Sequence, residues 1–178
     1  MPNGSVHMHP PHTRGLTLKV ALVLLFVATV PAAARDEGVL SAPSLVDETN
    51  DVRVQAGLGA LTLNSQLSRA AQAKADDMAA RGYFEHTTPE GHQPWDLIAA
   101  AGYQYQAAAE NLAVGLTAGN ALIAAWMASP LHRQNILNKR YTEIGVGIAR
   151  GRYKGQDTVF VVQLLGTPRR TPARPSAW

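Results

Sequence analysis

Tyr141-Thr142-Glu143-Ile144-Gly145-Val146-Gly147-Ile148, with the apolar run from Val159 to Leu165 behind it, decides the fold of this chain. The first segment alternates with step two and the second is continuously apolar, the patterns of a half-buried and a fully buried strand. Gly151 to Asp157 between them is rich in turn formers, so the pair predicts an antiparallel hairpin. A third strand is expected over Tyr103 to Ala107, ahead of Glu110.

Upstream the period changes to three-to-four. Ser44 to Leu58 carries Leu45, Val52 and Ala56 at roughly helical spacing, and Gly57 and Gly59 end it. The next helix is the clearest, with Asn64 or Ser65 as cap and Leu67, Ala70, Ala71, Ala75 and Met78 as its apolar stripe. Gly82 stands where a left-handed residue stops a helix. Arg69, Lys74, Asp76 and Asp77 read as a solvated face. Shorter helices are expected over Pro94 to Ala101 and Thr117 to Ala128, the latter burying Leu122, Ile123 and Trp126. Ser129 then caps a new turn with Pro130 at its first position, where the missing N–H costs nothing. Helices early and late around a small antiparallel sheet make an α+β sandwich.

The ends read differently. Arg14 and Lys19, an apolar stretch from Val20 to Val30 and then Pro31-Ala32-Ala33-Ala34 describe a secretory signal peptide over residues 1–34. The apolar stretch is shorter than the roughly 20 residues of a spanning helix. Residues 35–43 are expected as a linker, 44–168 as the domain and 169–178 as a flexible basic tail. The chain has no Cys, so export brings no disulfide and the core alone must hold the domain together. Of 16 Lys and Arg, Arg14 and Lys19 precede residue 35 and Arg169, Arg170 and Arg174 lie in the tail. The basic balance therefore belongs to the ends, and no face for nucleic acid is indicated. A monomer is expected.

Four polar side chains stand out. Beyond the signal region only His86, His92 and His132 remain, and His92 beside Gly91 reads as an exposed turn residue. His132 lies in the first turn after Ser129, where a helix N-terminus disfavours the charged imidazolium. Glu110 sits in the apolar stretch Ala107-Ala-Ala-Glu-Asn-Leu-Ala-Val114 and needs a partner or a raised pKa. Glu143 opens a strand. Two imidazoles and two carboxylates could hold a divalent cation or move protons.

In order, F-x-H-T at 84–87, A-E-N-L-A-V-G at 109–115, W-x-x-S-P-x-H-R-x-N-I-L at 126–137, Y-T-E-I-G-V-G at 141–147 and V-Q-L-L-G at 162–166 resemble bacterial members of the CAP superfamily. This superfamily, also called the SCP domain, takes in cysteine-rich secretory proteins, antigen 5 and pathogenesis-related proteins. The resemblance covers roughly Leu45 to Gly166. It implies a secreted (extracellular or periplasmic) three-layer α-β-α sandwich with a cleft in which two His and two Glu gather. Carried over by motif, these are His86, Glu110, His132 and Glu143. Asn111, Ser129, Asn135 and Trp126 are implied as supports. Three departures accompany it: Arg140 stands where the eukaryotic branch has a His, the Cys-bearing second signature of that branch is absent, and Leu131 replaces a Gly and is expected to narrow the cleft.

Three functions follow as expectations. One is a binding module whose cleft holds Zn²⁺, or Mg²⁺ more weakly, for a small molecule, peptide or envelope polymer. Another is an extracellular hydrolase in which a metal-bound water meets Glu110 or Glu143 as general base. H-E-x-x-H and G-x-S-x-G are absent. The third, lipid or sterol binding, rests on analogy with relatives.

Overall fold

The structure, a computed structural model, describes residues 40–169. The expected signal peptide, most of the linker and all of the tail but Arg169 lie outside the described residues. Nine elements follow in order: α1 (Ala42–Gln55), β1 (Thr62–Leu63), α2 (Ser65–Arg81), α3 (Pro94–Ala100), β2 (Tyr105–Val114), α4 (Gly119–Ala128), α5 (Pro130–Ile136), β3 (Glu143–Tyr153) and β4 (Gln156–Pro168). The strands form one sheet in the order β1-β3-β4-β2. It is antiparallel except for the two-residue β1, which runs parallel to β3. Among the described residues no helix is long and apolar enough to cross a membrane.

Because side chains alternate along a strand, the sheet carries two cores, one on each face. Leu45 and Val46 of α1, Leu122, Ile123 and Trp126 of α4 and Ile136 of α5 cover one face, meeting Ile144, Val146, Val161 and Leu165. The α2 stripe and Ile98 of α3 cover the other, meeting Leu112, Phe160, Val162 and Leu164. This is the expected three-layer sandwich. Gly145 and Gly147 allow it: a Cβ there would lie within 2.3 Å of α2 backbone at Leu67 and Ala71. The small residues of the alternating pattern are thus the floor on which α2 rests.

Several boundaries differ from expectation, each for a local reason. α1 starts at Ala42, inside the expected linker, because Ser41 and Ser44 cap each other's backbone reciprocally. The hairpin turn contracts to Lys154 (φ 50°) and Gly155 (φ 82°), a two-residue turn with both φ positive that matches the strand twist. The third strand runs from Tyr105 through Val114, so Glu110 and Asn111 stand inside a strand and not at its edge. Most tellingly, Lys74 is fully buried. Its number places it on the stripe itself, one turn from Ala71 and Met78, so helical period overrides charge here.

Both sheet edges are closed by side chains. Gln72 donates to the Ile148 carbonyl (2.9 Å) and accepts from its N–H (3.1 Å), standing in for a neighbouring strand on β3. On β2 the carbonyls of Ala108, Glu110 and Leu112 accept from the Tyr141 hydroxyl (3.4 Å), the Asn135 amide (3.4 Å) and the Trp126 indole (3.0 Å).

Candidate functional site

β2 carries Glu110 toward the α2–α3 face and Asn111 toward the opposite one, as adjacent strand residues must point. The Glu110 side chain is 3 % exposed and the His86 ring above it 58 %. Nδ1 of His86 lies 2.7 Å from Oε1 of Glu110. A carboxylate only accepts, so Nδ1 carries the proton and Nε2 is left available. This hydrogen bond raises the His86 pKa above 6.5, against partial burial and the nearby charge of Lys74. Oε2 of Glu110 is buried and has no hydrogen-bond partner among the described residues.

Lys74 supplies charge without a hydrogen bond to that oxygen. Its ammonium donates to the Tyr83 hydroxyl (3.1 Å) and lies 4.8 Å from the Tyr83 ring centre, while Tyr83 donates to Asp77 (2.5 Å). Burial lowers the Lys74 pKa, and the charges of Glu110, Asp77 and Glu85 oppose that. Burial, reinforced by Asp77, pushes the Tyr83 hydroxyl far up, so it stays a neutral donor.

His132 is anchored separately. Its Nδ1 lies 2.9 Å from the Ser129 hydroxyl, and its ring centre is 6.3 Å from that of Trp126. Ser129 does occupy the cap position of α5, but its side chain caps no backbone N–H. It holds the imidazole instead. Burial lowers the His132 pKa, and so does positive charge on His86.

Glu143 is engaged elsewhere. Its Oε2 accepts from the Tyr103 hydroxyl (2.5 Å) and the Asn64 amide (3.3 Å). Along the sheet it pairs with Gly166 of β4, the strand lying between it and β2, which sets it roughly 10 Å or more from Glu110 by strand spacing. Among the described residues no three His, Cys, Asp or Glu side chains gather closely enough to hold one metal ion. The structure thus joins His86 to Glu110, anchors His132 on Ser129 and Trp126 and leaves Glu143 apart. Leu131, expected to narrow the cleft, is 75 % exposed and does not line it. His92 is exposed, as its turn position implied.

The supports form a chain. Asn135 donates to Asn111 (2.8 Å), Asn111 to Gln163 (2.9 Å), and Gln163 to Thr49 (2.9 Å). Around the His86–Glu110 pair opens a cleft of about 300 Å³, walled by Gln93, Pro94, Trp95, Ala108, Asn135 and Tyr141. Sequence reasoning missed Lys74, Trp95, Gln93 and Tyr141. The place of Lys74 on the apolar stripe was a signal that could have found it; the others carried none.

The arrangement fits a cation in part. Both imidazoles are held by a hydrogen bond at Nδ1, as metal-ligating histidines commonly are, and the carboxylate partner of His86 leaves its Nε2 free to coordinate. A third protein ligand is lacking among the described residues, so water would complete the sphere.

Comparison with known proteins agrees with this fold. Residues 46–165 match the profile of "CAP: Cysteine-rich secretory protein family". The chain is 37 % identical over 122 residues to the uncharacterized protein YkwD of Bacillus subtilis, covering 68 % of this chain and 46 % of that protein. It is 32 % identical over 113 residues to the uncharacterized membrane protein YlbC of the same organism, covering 64 % and 33 %. It therefore spans less than half the length of these relatives. Among solved structures, an extracellular SCP-domain protein of Bacillus anthracis superposes with a TM-score of 0.62 at 28 % identity, covering 71 % of this chain and 40 % of that one. An outer surface protein of Borrelia burgdorferi gives 0.63 at 24 % identity, covering 71 % and 92 %, a likeness of fold.

Proposed function

The chain belongs to the cysteine-rich secretory protein (CAP) family, and from that premise we propose that it is an extracellular or surface binding module. Its ligand site is the cleft around His86 and Glu110. The extracellular and outer-surface descriptions of the two solved structures support the location, as does the signal-like N-terminus.

One observation carries the binding reading. A buried carboxylate holds an exposed imidazole at 2.7 Å on the floor of an open cleft, and one of its oxygens lacks a hydrogen-bond partner among the described residues. A fold gains nothing in stability from such an oxygen. In this reading Glu110 fixes the tautomer of His86, and Ser129 orients His132. The two Nε2 atoms are the groups that would hold Zn²⁺. Bound there, the ion would offer a ligand oxygen a Lewis-acid contact. Calorimetry with Zn²⁺ tests this: saturable heat is expected, weakened at least tenfold in His86→Ala and in His132→Ala. Saturable heat unchanged in both variants, or none in the wild type, removes the cation from the reading.

The same pair favours hydrolysis as a second reading. With Nδ1 protonated toward Glu110, Nε2 of His86 can take a proton from water. Casein and isolated cell wall are the substrates to try, with Glu110→Gln as control. Equal release by both proteins excludes catalysis at this site.

A further inference from the structure

We infer that the cleft receives a neutral sugar unit of an extracellular polysaccharide, stacked on Trp95 and hydrogen bonded by Gln93, Asn135 and His86. This deepens the binding reading and rests on it, though not on the metal. Trp95 is 41 % exposed, follows the buried Pro94 at the start of α3 and lines the cleft. A half-exposed indole has only two side-chain torsions to order and offers a flat apolar platform for a ligand.

The surroundings disfavour the other organic ligand classes one by one. An anionic ligand would be set against the buried Glu110 carboxylate on the floor of the cleft. An extended peptide would need the open edge of β2. There the carbonyls of Ala108, Glu110 and Leu112 are already taken by Tyr141, Asn135 and Trp126. An alkyl chain would offer no donor to Oε2 of Glu110 and would strip water from the exposed His86 ring and Gln93, at a cost in free energy. The Asn135 amide N–H groups are spent on Asn111 and the Glu110 carbonyl, and one of Gln93 is spent on Thr87. A sugar hydroxyl both donates and accepts, so it suits Oε1 of Gln93, Oδ1 of Asn135 and Nε2 of His86. The volume of about 300 Å³ sits at the small end of ligand sites and suits one sugar unit, with the rest of the polymer outside.

The test is a titration of the full chain with chitotetraose and cellotetraose in EDTA, followed by calorimetry and tryptophan fluorescence. Saturable binding of one of these neutral oligosaccharides is expected. Trp95→Ala should weaken it at least tenfold and remove most of the fluorescence change, with an unaltered far-UV circular dichroism spectrum. Gln93→Ala should weaken it about threefold. Absence of saturable heat with both sugars, or equal affinity in Trp95→Ala, overturns the proposal. Because chelator is present throughout, failure here is distinct from failure of Zn²⁺ binding. Saturable Zn²⁺ heat with no sugar heat would leave the cation reading standing and this one refuted.

Discussion

On the face of the sheet under α1 and α4, Thr49, Gln163, Asn111 and Asn135 are joined side chain to side chain, and Arg53 is spent on the carbonyls of Gly59, Ile136, Asn138 and Tyr141. On the face under α2 and α3, Lys74 and Glu110 are buried beneath the more exposed His86, yet Glu110 keeps an oxygen without a hydrogen bond from the described residues. The first group ties loops and helix ends to the sheet and is closed. The second is charged, incompletely paired and opens on a cleft. A fully hydrogen-bonded network fixes a fold, whereas an incompletely paired one that opens on a cleft keeps interaction capacity for something outside the chain.

The largest expected effect lies on the closed face. Replacing Arg53 by Met strands four carbonyls and should lower unfolding free energy by about 3–5 kcal/mol, seen as a shifted urea midpoint with unchanged slope. Gln163→Leu leaves the Asn111 amide and the Thr49 hydroxyl without their partner and should cost about 2–4 kcal/mol. If either change were nearly neutral, the contrast between the faces would fail.

The smallest effect on stability, and the largest on the cleft, is expected for Glu110→Gln. Its stability change should stay within about 1 kcal/mol, since the carboxylate is only half satisfied. By NMR titration the His86 midpoint is expected above 6.5 and that of His132 below it. In the variant His86 should fall, since burial and the Lys74 charge then act unopposed, while His132 stays low. The signs follow from linkage. The raised His86 pKa gives stabilisation that is full below 6.5 and lost as pH rises through the folded value. The lowered His132 pKa gives stabilisation that is present above 6.5 and lost as pH falls through the folded value. Coincident midpoints in the wild type would show that the two imidazoles share one environment after all.

Much of this was legible in one dimension. Period two in Ile144 to Ile148 and period 3.6 in Leu67 to Met78 named the strand and helix that form the centre of the sandwich, because backbone geometry imposes those periods. Asn64 and Gly82 marked the ends of α2 by the same local logic, accepting from two backbone N–H groups at one end and turning left-handed at the other. The short β1 was not legible, since two residues carry no period. Nor was the reach of β2 through Glu110, because a carboxylate inside a strand is tolerated only by partners from other elements.

Local spacing, therefore, determined which residues would be helix, strand and turn, and which four polar side chains to watch. Tertiary structure alone decided that His86 closes on Glu110, that Tyr103 and Asn64 claim Glu143, and that Lys74 is buried against Tyr83. The physical reason is range. Backbone periodicity acts within a few residues, while a pairing across 24 or 40 positions exists only once packing has fixed where each side chain can go.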